Sequence, residues 1–274
     1  ATASGHASIA GTPDDFEGTL RILGSPPEIP DLRVDSEPRA DASFWFRGGG
    51  FEAQAVVHPV RFRITSDLLR AEGDTPEGRL RLRRPAEDTD LGLGLEAAGG
   101  RIELPGYDLS LAKIGVSARV EERGVEGKLR VGELRDLQSP PRLEPLGLRG
   151  TFEIRNSTIG YHLKLANPGE SLVLEAKGGA DPAVPSARDE LRLHPLVFDP
   201  AGLQPAALFP FLEGQVEAAT GSVEASGTAS WDGARATAEI DLALREIGFA
   251  ARGTEVLDLN GRIEIGGPSP PVTR

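Results

Sequence analysis

SVEASGTASWDGARATAEIDLAL, running from Ser222 to Leu244, is the stretch that decides the fold class. Val223, Ala225, Gly227, Ala229 and Trp231 alternate with Ser222, Glu224, Ser226, Thr228 and Ser230. Beyond Asp232-Gly233, Ala234, Ala236, Ala238, Ile240, Leu242 and Leu244 alternate with Arg235, Thr237, Glu239 and Asp241. A strict period of two belongs to a strand with one buried and one wet face. Asp-Gly between two such runs predicts a hairpin, because both residues tolerate the positive φ of a tight turn.

The same alternation predicts strands at Phe51 to Val57, Val60 to Thr65, Leu91 to Ala97, Tyr107 to Val120, Gly150 to Arg155, Tyr161 to Ala166 and Ser171 to Ala176. Asn167-Pro168-Gly169 reads as the turn between the last two. One phrase is written repeatedly: EGTLRI from Glu17, EGRLRL from Glu77 and EGKLRV from Glu126, with a looser copy, EGQVEA, from Glu213. Its reading is a glycine that opens a strand, Leu20, Leu80 and Leu129 facing the apolar side, and Arg21, Arg81 and Arg130 facing water. LGLRGTFEI from Leu146 and LDLNGRIEI from Leu257 are a second echo, and SPP corners recur at Ser25, Ser139 and Ser269. The spacing is irregular, which excludes a fixed-period solenoid or propeller.

Helical periodicity is nearly absent. Pro205 to Leu212 is the best helix candidate, with Pro205 acceptable in a first turn and Pro210 cutting it short. GGADPAVPSARDE, Gly178 to Glu190, reads as a loop or linker. It divides the chain into a repeated β-strand section over 1–177 and a second β section with the short Pro-flanked helix over 191–274.

The 274 residues are 39% hydrophobic and 26% charged, which suits a chain with a sizeable core and argues against disorder throughout. A formal net charge of −12 with no long basic run argues against nucleic acid as a partner. Without cysteine there is neither a disulfide framework nor a thiolate metal site. The chain holds no Met and begins ATASGH, so it reads as an internal piece of a longer protein. The longest weakly charged run, His194 to Leu212, is broken by four prolines and by Asp199, and does not make an apolar spanning helix of about 20 residues.

No set of residues points to catalysis. His6, His58, His162 and His194 are scattered without metal-ligand spacing, and no nucleophile-elbow sequence is present. Gly92, Gly94 and Ala97 match a dinucleotide fingerprint in form only, since LGLGLEAAGG alternates as a strand does. Glu87, Asp88 and Asp90 lack the calcium-loop pattern and read as a solvated turn. Arg79, Arg81 and Arg83 read as the cationic outer face of a strand. No cofactor and no metal are expected.

The stretch from Leu203 to Arg274 resembles the YdbH family, whose C-terminal region was historically labelled a dicarboxylate transport domain. The matching features are the Pro-flanked leucine segment Leu203 to Leu212, the glycine-spaced strand Gly221 to Gly233 ending in Trp-Asp-Gly, the Leu-x-Gly strand Leu259 to Ile265, and the corner Pro270 to Thr273. Ile265 to Gly267 depart from the pattern, where a leucine-containing stretch is more usual. The resemblance implies an AsmA-like bridge protein of the periplasm, anchored to the inner membrane by a segment outside this chain, that conducts phospholipids between inner and outer membranes. It supplies no catalytic residues.

The expected fold is therefore all-β, an elongated, curled and mostly antiparallel sheet forming an open groove, with at most one or two short helices. Acyl chains would lie on an apolar face carrying Val223, Ala225, Ala229, Trp231, Ile240, Leu242, Leu244, Ile263 and Ile265. The alternation is equally compatible with a closed sandwich whose apolar face is its core. A scaffold β-domain of the cell envelope that binds protein partners is the alternative function.

Overall fold

The computed structural model describes residues 3–12, 14–24, 32–34, 38–65, 70–84, 92–121, 124–181, 186–232 and 235–268. The chain divides into two compact units, Ala1–Glu133 and Leu134–Arg274. Both are all-β with antiparallel pairing, as alternation predicts, and their sheets are open, which alternation alone leaves undecided.

The first unit contains β1 (Ala3–Thr12), β2 (Asp15–Gly24), β3 (Leu32–Val34), β4 (Arg39–Arg47), β5 (Gly50–Val57), β6 (Arg61–Thr65), β7 (Arg70–Asp74), β8 (Glu77–Arg84), β9 (Gly92–Leu104) and β10 (Leu109–Glu121). β11 (Gly124–Asp136) crosses the division. Pairing runs β1, β2, β4, β5, β8, β9, β10. A short branch of β3, β6 and β7 joins the far end of β9 through Glu72 to Asp74.

The second unit is a plain meander of β12 (Leu146–Arg155), β13 (Thr158–Ala166), β14 (Val173–Asp181), β15 (Ser186–Phe198), β16 (Glu217–Trp231), β17 (Ala236–Ala251) and β18 (Thr254–Pro268), each paired with the next. A hairpin is present over 222–244, but with a shifted register: Trp231 stands opposite Ala236, where a two-residue Asp232-Gly233 turn would place Ala234, and the Asp232 N–H donates to the Arg235 carbonyl at 3.1 Å. Gly233 and Ala234 lie outside the described residues. Asn156 and Ser157 join β12 to β13 with φ of 50° and 66°, a left-handed pair that suits the right-handed twist of a tight hairpin.

Several sequence expectations are corrected. The stretch 178–190 is not a loop throughout, because Gly178–Asp181 finish β14 and Ser186–Glu190 begin β15 in a paired hairpin. Of the repeated phrases, EGQVEA is not a strand copy. Glu213 and Gln215 donate N–H groups to Pro210 and Leu212 in a turn that precedes β16. Nor do the glycines of the phrase open strands at Gly18 and Gly127, which sit inside β2 and β11. A Cβ built on Gly18 would lie 2.4 Å from Cζ of Phe44, so the glycine makes room for that ring.

The helix candidate splits as Pro210 dictates. α1 (Pro205–Leu208) is followed by a 3₁₀ turn, Pro210–Leu212. Pro205 starts α1, where its missing N–H costs nothing. This segment belongs to the 18-residue connection between β15 and β16, and it carries Leu208, whose side chain is wholly buried. Leu208 packs with Leu146, Leu172 and Leu196 in the main core of the second unit.

Candidate functional site

Residues directly opposite one another in an antiparallel ladder point to the same face, so the pairing registers settle which side chains share a surface. In the second unit one row across β12 to β18 reads Leu148, Leu165, Leu174, Leu193, Ala225, Leu242, Ile263. The next reads Gly150, Leu163, Ala176, Leu191, Gly227, Ile240, Ile265. The intervening residues form the opposite face: Arg149, Lys164, Glu175, Arg192, Ser226, Asp241, Glu264. A sheet of seven strands thus carries one apolar and one charged side.

The first unit repeats the arrangement. Ala7, Leu20, Ala42, Ala55, Leu80, Leu95 and Ala118 make one row, and Ile9, Gly18, Phe44, Ala53, Leu82, Leu93 and Val120 the next. Leu20 and Leu80, the leucines of the first two repeated phrases, stand in the same row. At the end of this face Phe16 stacks on Phe46 with ring centroids 5.3 Å apart and meets Phe44 edge-on at 6.4 Å. The arginines of the phrases lie on the other face, where Arg21 pairs with Asp41 at 2.8 Å and Arg81 with Glu52 at 2.7 Å.

Every nominated residue takes the apolar face of the second unit. Val223 opposes Leu244, Ala225 opposes Leu242, and Ala229 and Trp231 oppose Ala238 and Ala236. Leu242 and Ile240 in turn oppose Ile263 and Ile265. None of the nine is fully buried: Trp231, Ile263 and Ile265 are exposed by 40%, 45% and 53%, and the others are half-buried. A second sheet packed on this face would bury them as sandwich cores are buried. The closed-sandwich alternative does not describe this unit.

Sequence reasoning missed how this face ends. On one side α1 lies on it, and Leu165, Leu193 and Val223 pack against the Leu208 cluster. Gln204 fixes the segment there: its Nε2 donates to the Ala219 carbonyl at 3.0 Å and its Oε1 accepts from the Ala219 N–H at 2.8 Å. The Leu208 carbonyl accepts from the Glu144 N–H at 3.0 Å, and Glu144 accepts from Asn167 Nδ2 at 2.5 Å. β-Bulges between Leu193 and Leu196, Glu217 and Ser222, and Leu244 and Phe249 fall at this same end. Such bulges bend and twist strands locally.

On the other side the apolar rows are interrupted by polar groups. The row Phe152, Tyr161, Gly178, Asp189, Ala229, Ala238 contains a phenol and a carboxyl on either side of a glycine. Burial first, and then the adjoining Asp189 carboxylate, push the Tyr161 hydroxyl up to about 12, so it stays protonated. Asp189 Oδ1 is buried with no hydrogen-bond partner. A Cβ on Gly178 would sit 2.3 Å from that oxygen and 2.4 Å from the Arg188 carbonyl oxygen.

The residues considered for chemistry are dispersed. His58 contacts Asp41 at 2.8 Å beside Arg21 and Arg39, whose guanidinium groups hold the Asp41 carboxyl far below the usual range. His194 lies 3.3 Å from Glu175. Gly92 and Gly94 are on β9, not in a phosphate-binding turn before a helix. Glu87, Asp88 and Asp90 lie outside the described residues. Among the described residues no group of three or more His, Asp or Glu is placed to hold a metal ion, and no helix is long and apolar enough to cross a membrane.

A family model described as YdbH-like, intermembrane phospholipid transport protein YdbH, matches residues 73–273. No curated protein and no solved structure matches the chain.

Proposed function

We propose, from the premise that this chain belongs to the YdbH-like family of intermembrane phospholipid transport proteins, that it is a section of a periplasmic bridge along whose apolar β-face phospholipids pass between inner and outer membranes. The supporting observation is the apolar face of the second unit, whose Leu193 and Leu191 rows run unbroken across seven strands and which α1 covers at one end alone among the described residues. Apolar surface left in water costs about 25 cal/mol per Å², and each acyl methylene removed from water returns about 0.8 kcal/mol. An acyl chain on this face satisfies both at once.

The role is passive and non-enzymatic: the face shields acyl chains, and the charged side keeps the sheet wetted. Val223, Ala225, Ala229, Ile240, Leu242, Leu244, Ile263 and Ile265 form the floor, with Trp231 at its rim. An inner-membrane anchor and the membrane contacts belong to regions outside this chain.

The experiment is lipid extraction and mass spectrometry of the purified protein, combined with photocrosslinking from Leu242 and from Asp241 on the opposite face. Phospholipid should copurify and should label from Leu242. Absence of lipid, or equal labelling from both positions, would sink the reading.

A further inference from the structure

The apolar face of the second unit has two unlike ends. At one, Leu208 is wholly buried against Leu196 and Leu146, which are each 3% exposed, and Gln204 pins the segment that carries it. At the other, beyond the rows of Leu193 and Leu191, Tyr161 and Asp189 share a row and Trp231 is 40% exposed in the next. A wall of leucine closes the strands on one side, and amphipathic and charged groups line them on the other.

The dimensions match one lipid. From Val223, which touches the wall cluster, to Trp231 is about 26 Å at about 3.3 Å per strand residue. An acyl chain spans about 15 Å, half the hydrocarbon thickness of a bilayer. A chain whose methyl end abuts the wall therefore runs out near Gly227, just before the Ala229 row that holds Tyr161 and Asp189. Tyr and Trp suit such a boundary, since each has an apolar body and a polar tip.

Resting on the lipid-carrying reading, we propose that this unit holds a phospholipid in one orientation across its strands, acyl end against the Leu208 wall and headgroup beside Tyr161, Asp189 and Trp231. The carboxylate chooses among headgroups. Among the described residues Asp189 has no cationic partner on its own face: its row neighbours are Gly178 and Ala229, its carboxylate is hydrogen-bonded to the Tyr161 hydroxyl, and Oδ1 is left without a partner. The ammonium of an aminophospholipid answers that charge, whereas a purely anionic headgroup meets it with repulsion.

The test loads the purified protein from phosphatidylethanolamine vesicles with a photoreactive group at either the acyl terminus or the headgroup, and maps crosslinked peptides. The acyl-terminal probe should label 193–209 and Val223 about tenfold more than 154–161 and 186–189, the ratio that about 1.4 kcal/mol commands. The headgroup probe should label the reverse set. In Asp189→Asn and Tyr161→Phe, with strand content checked by circular dichroism, the headgroup probe should spread along the face. Even or swapped labelling in the unaltered protein overturns the orientation and leaves the lipid reading standing. No labelling of the apolar face by either probe overturns both.

Discussion

The Gln204 side chain bonds the Ala219 backbone in both directions, donating to its carbonyl and accepting from its N–H, as a neighbouring strand would. It thereby satisfies the start of β16 with a side chain where no strand is available. In Gln204→Ala, the 4%-exposed Ala219 keeps a buried N–H and carbonyl without these partners. Each such group costs about 1–3 kcal/mol. The expected loss is about 2 kcal/mol in urea unfolding, with faster amide exchange over 199–216 and little change in β13 and β14.

Gly178 is fixed by close approach. Because an added Cβ meets the Arg188 carbonyl oxygen at 2.4 Å, backbone has to move before any larger residue fits. Gly178→Ala should cost about 1–3 kcal/mol, the range for overpacking. Gly169, whose added Cβ meets nothing within 4 Å, is the control, and Gly169→Ala should stay within about 0.5 kcal/mol. Equal melting temperatures for the two variants would show the close approach to be unimportant.

Asp136 links the end of β11 to the loop before β12. Arg142 first of all, at 2.6 Å through Nε, and then the backbone N–H groups of Gln138 and Arg142 hold its carboxyl down to about 2, against the pull of burial. A depressed carboxyl stabilises the fold fully above its unfolded value, and that contribution is lost as pH falls through the folded one. Stability should thus decline between about pH 4 and pH 2. Asp136→Asn should cost about 1–3 kcal/mol at neutral pH and should flatten that limb. An unchanged acid limb in the variant would remove Asp136 from the account.

Alternation revealed which face each strand residue takes because the strand period of two is a local property. Leu20 and Leu80 share a row, and the two strands of the Ser222 to Leu244 hairpin present the expected faces, although Trp231 stands opposite Ala236 where a two-residue Asp-Gly turn would have placed Ala234. The short branch of β3, β6 and β7 was not legible, since its pairing with β9 depends on contacts far apart in sequence. Neither were the bulges, each of which inserts residues without a fixed residue type, as at Glu246 with φ of 51°. Pro205 and Pro210 bounded the helix correctly, but its place on the apolar face rests on Gln204 meeting Ala219, 15 residues on. Tyr161 reads as an ordinary strand residue and Asp189 as part of a loop until three strands bring them into one row.

The two sides of β17 make the clearest contrast for function. Ile240 stands between Gly227 and Ile265 on the apolar face, while Glu239 stands between Thr228 and Gly266 on the polar one. Ile240→Asp places a charge where an acyl chain would lie and where only small or apolar neighbours surround it. Glu239→Gln removes a charge from the wetted side. If the apolar face carries lipid, Ile240→Asp should copurify about tenfold less phospholipid than the unaltered protein, equivalent to about 1.4 kcal/mol of lost contact, and Glu239→Gln should match it. Half-burial of Ile240 limits the accompanying loss of fold stability to about 1–2 kcal/mol, so both variants should remain folded by near-identical far-ultraviolet spectra. Equal lipid content in the two variants would mean that acyl chains do not rest on this row.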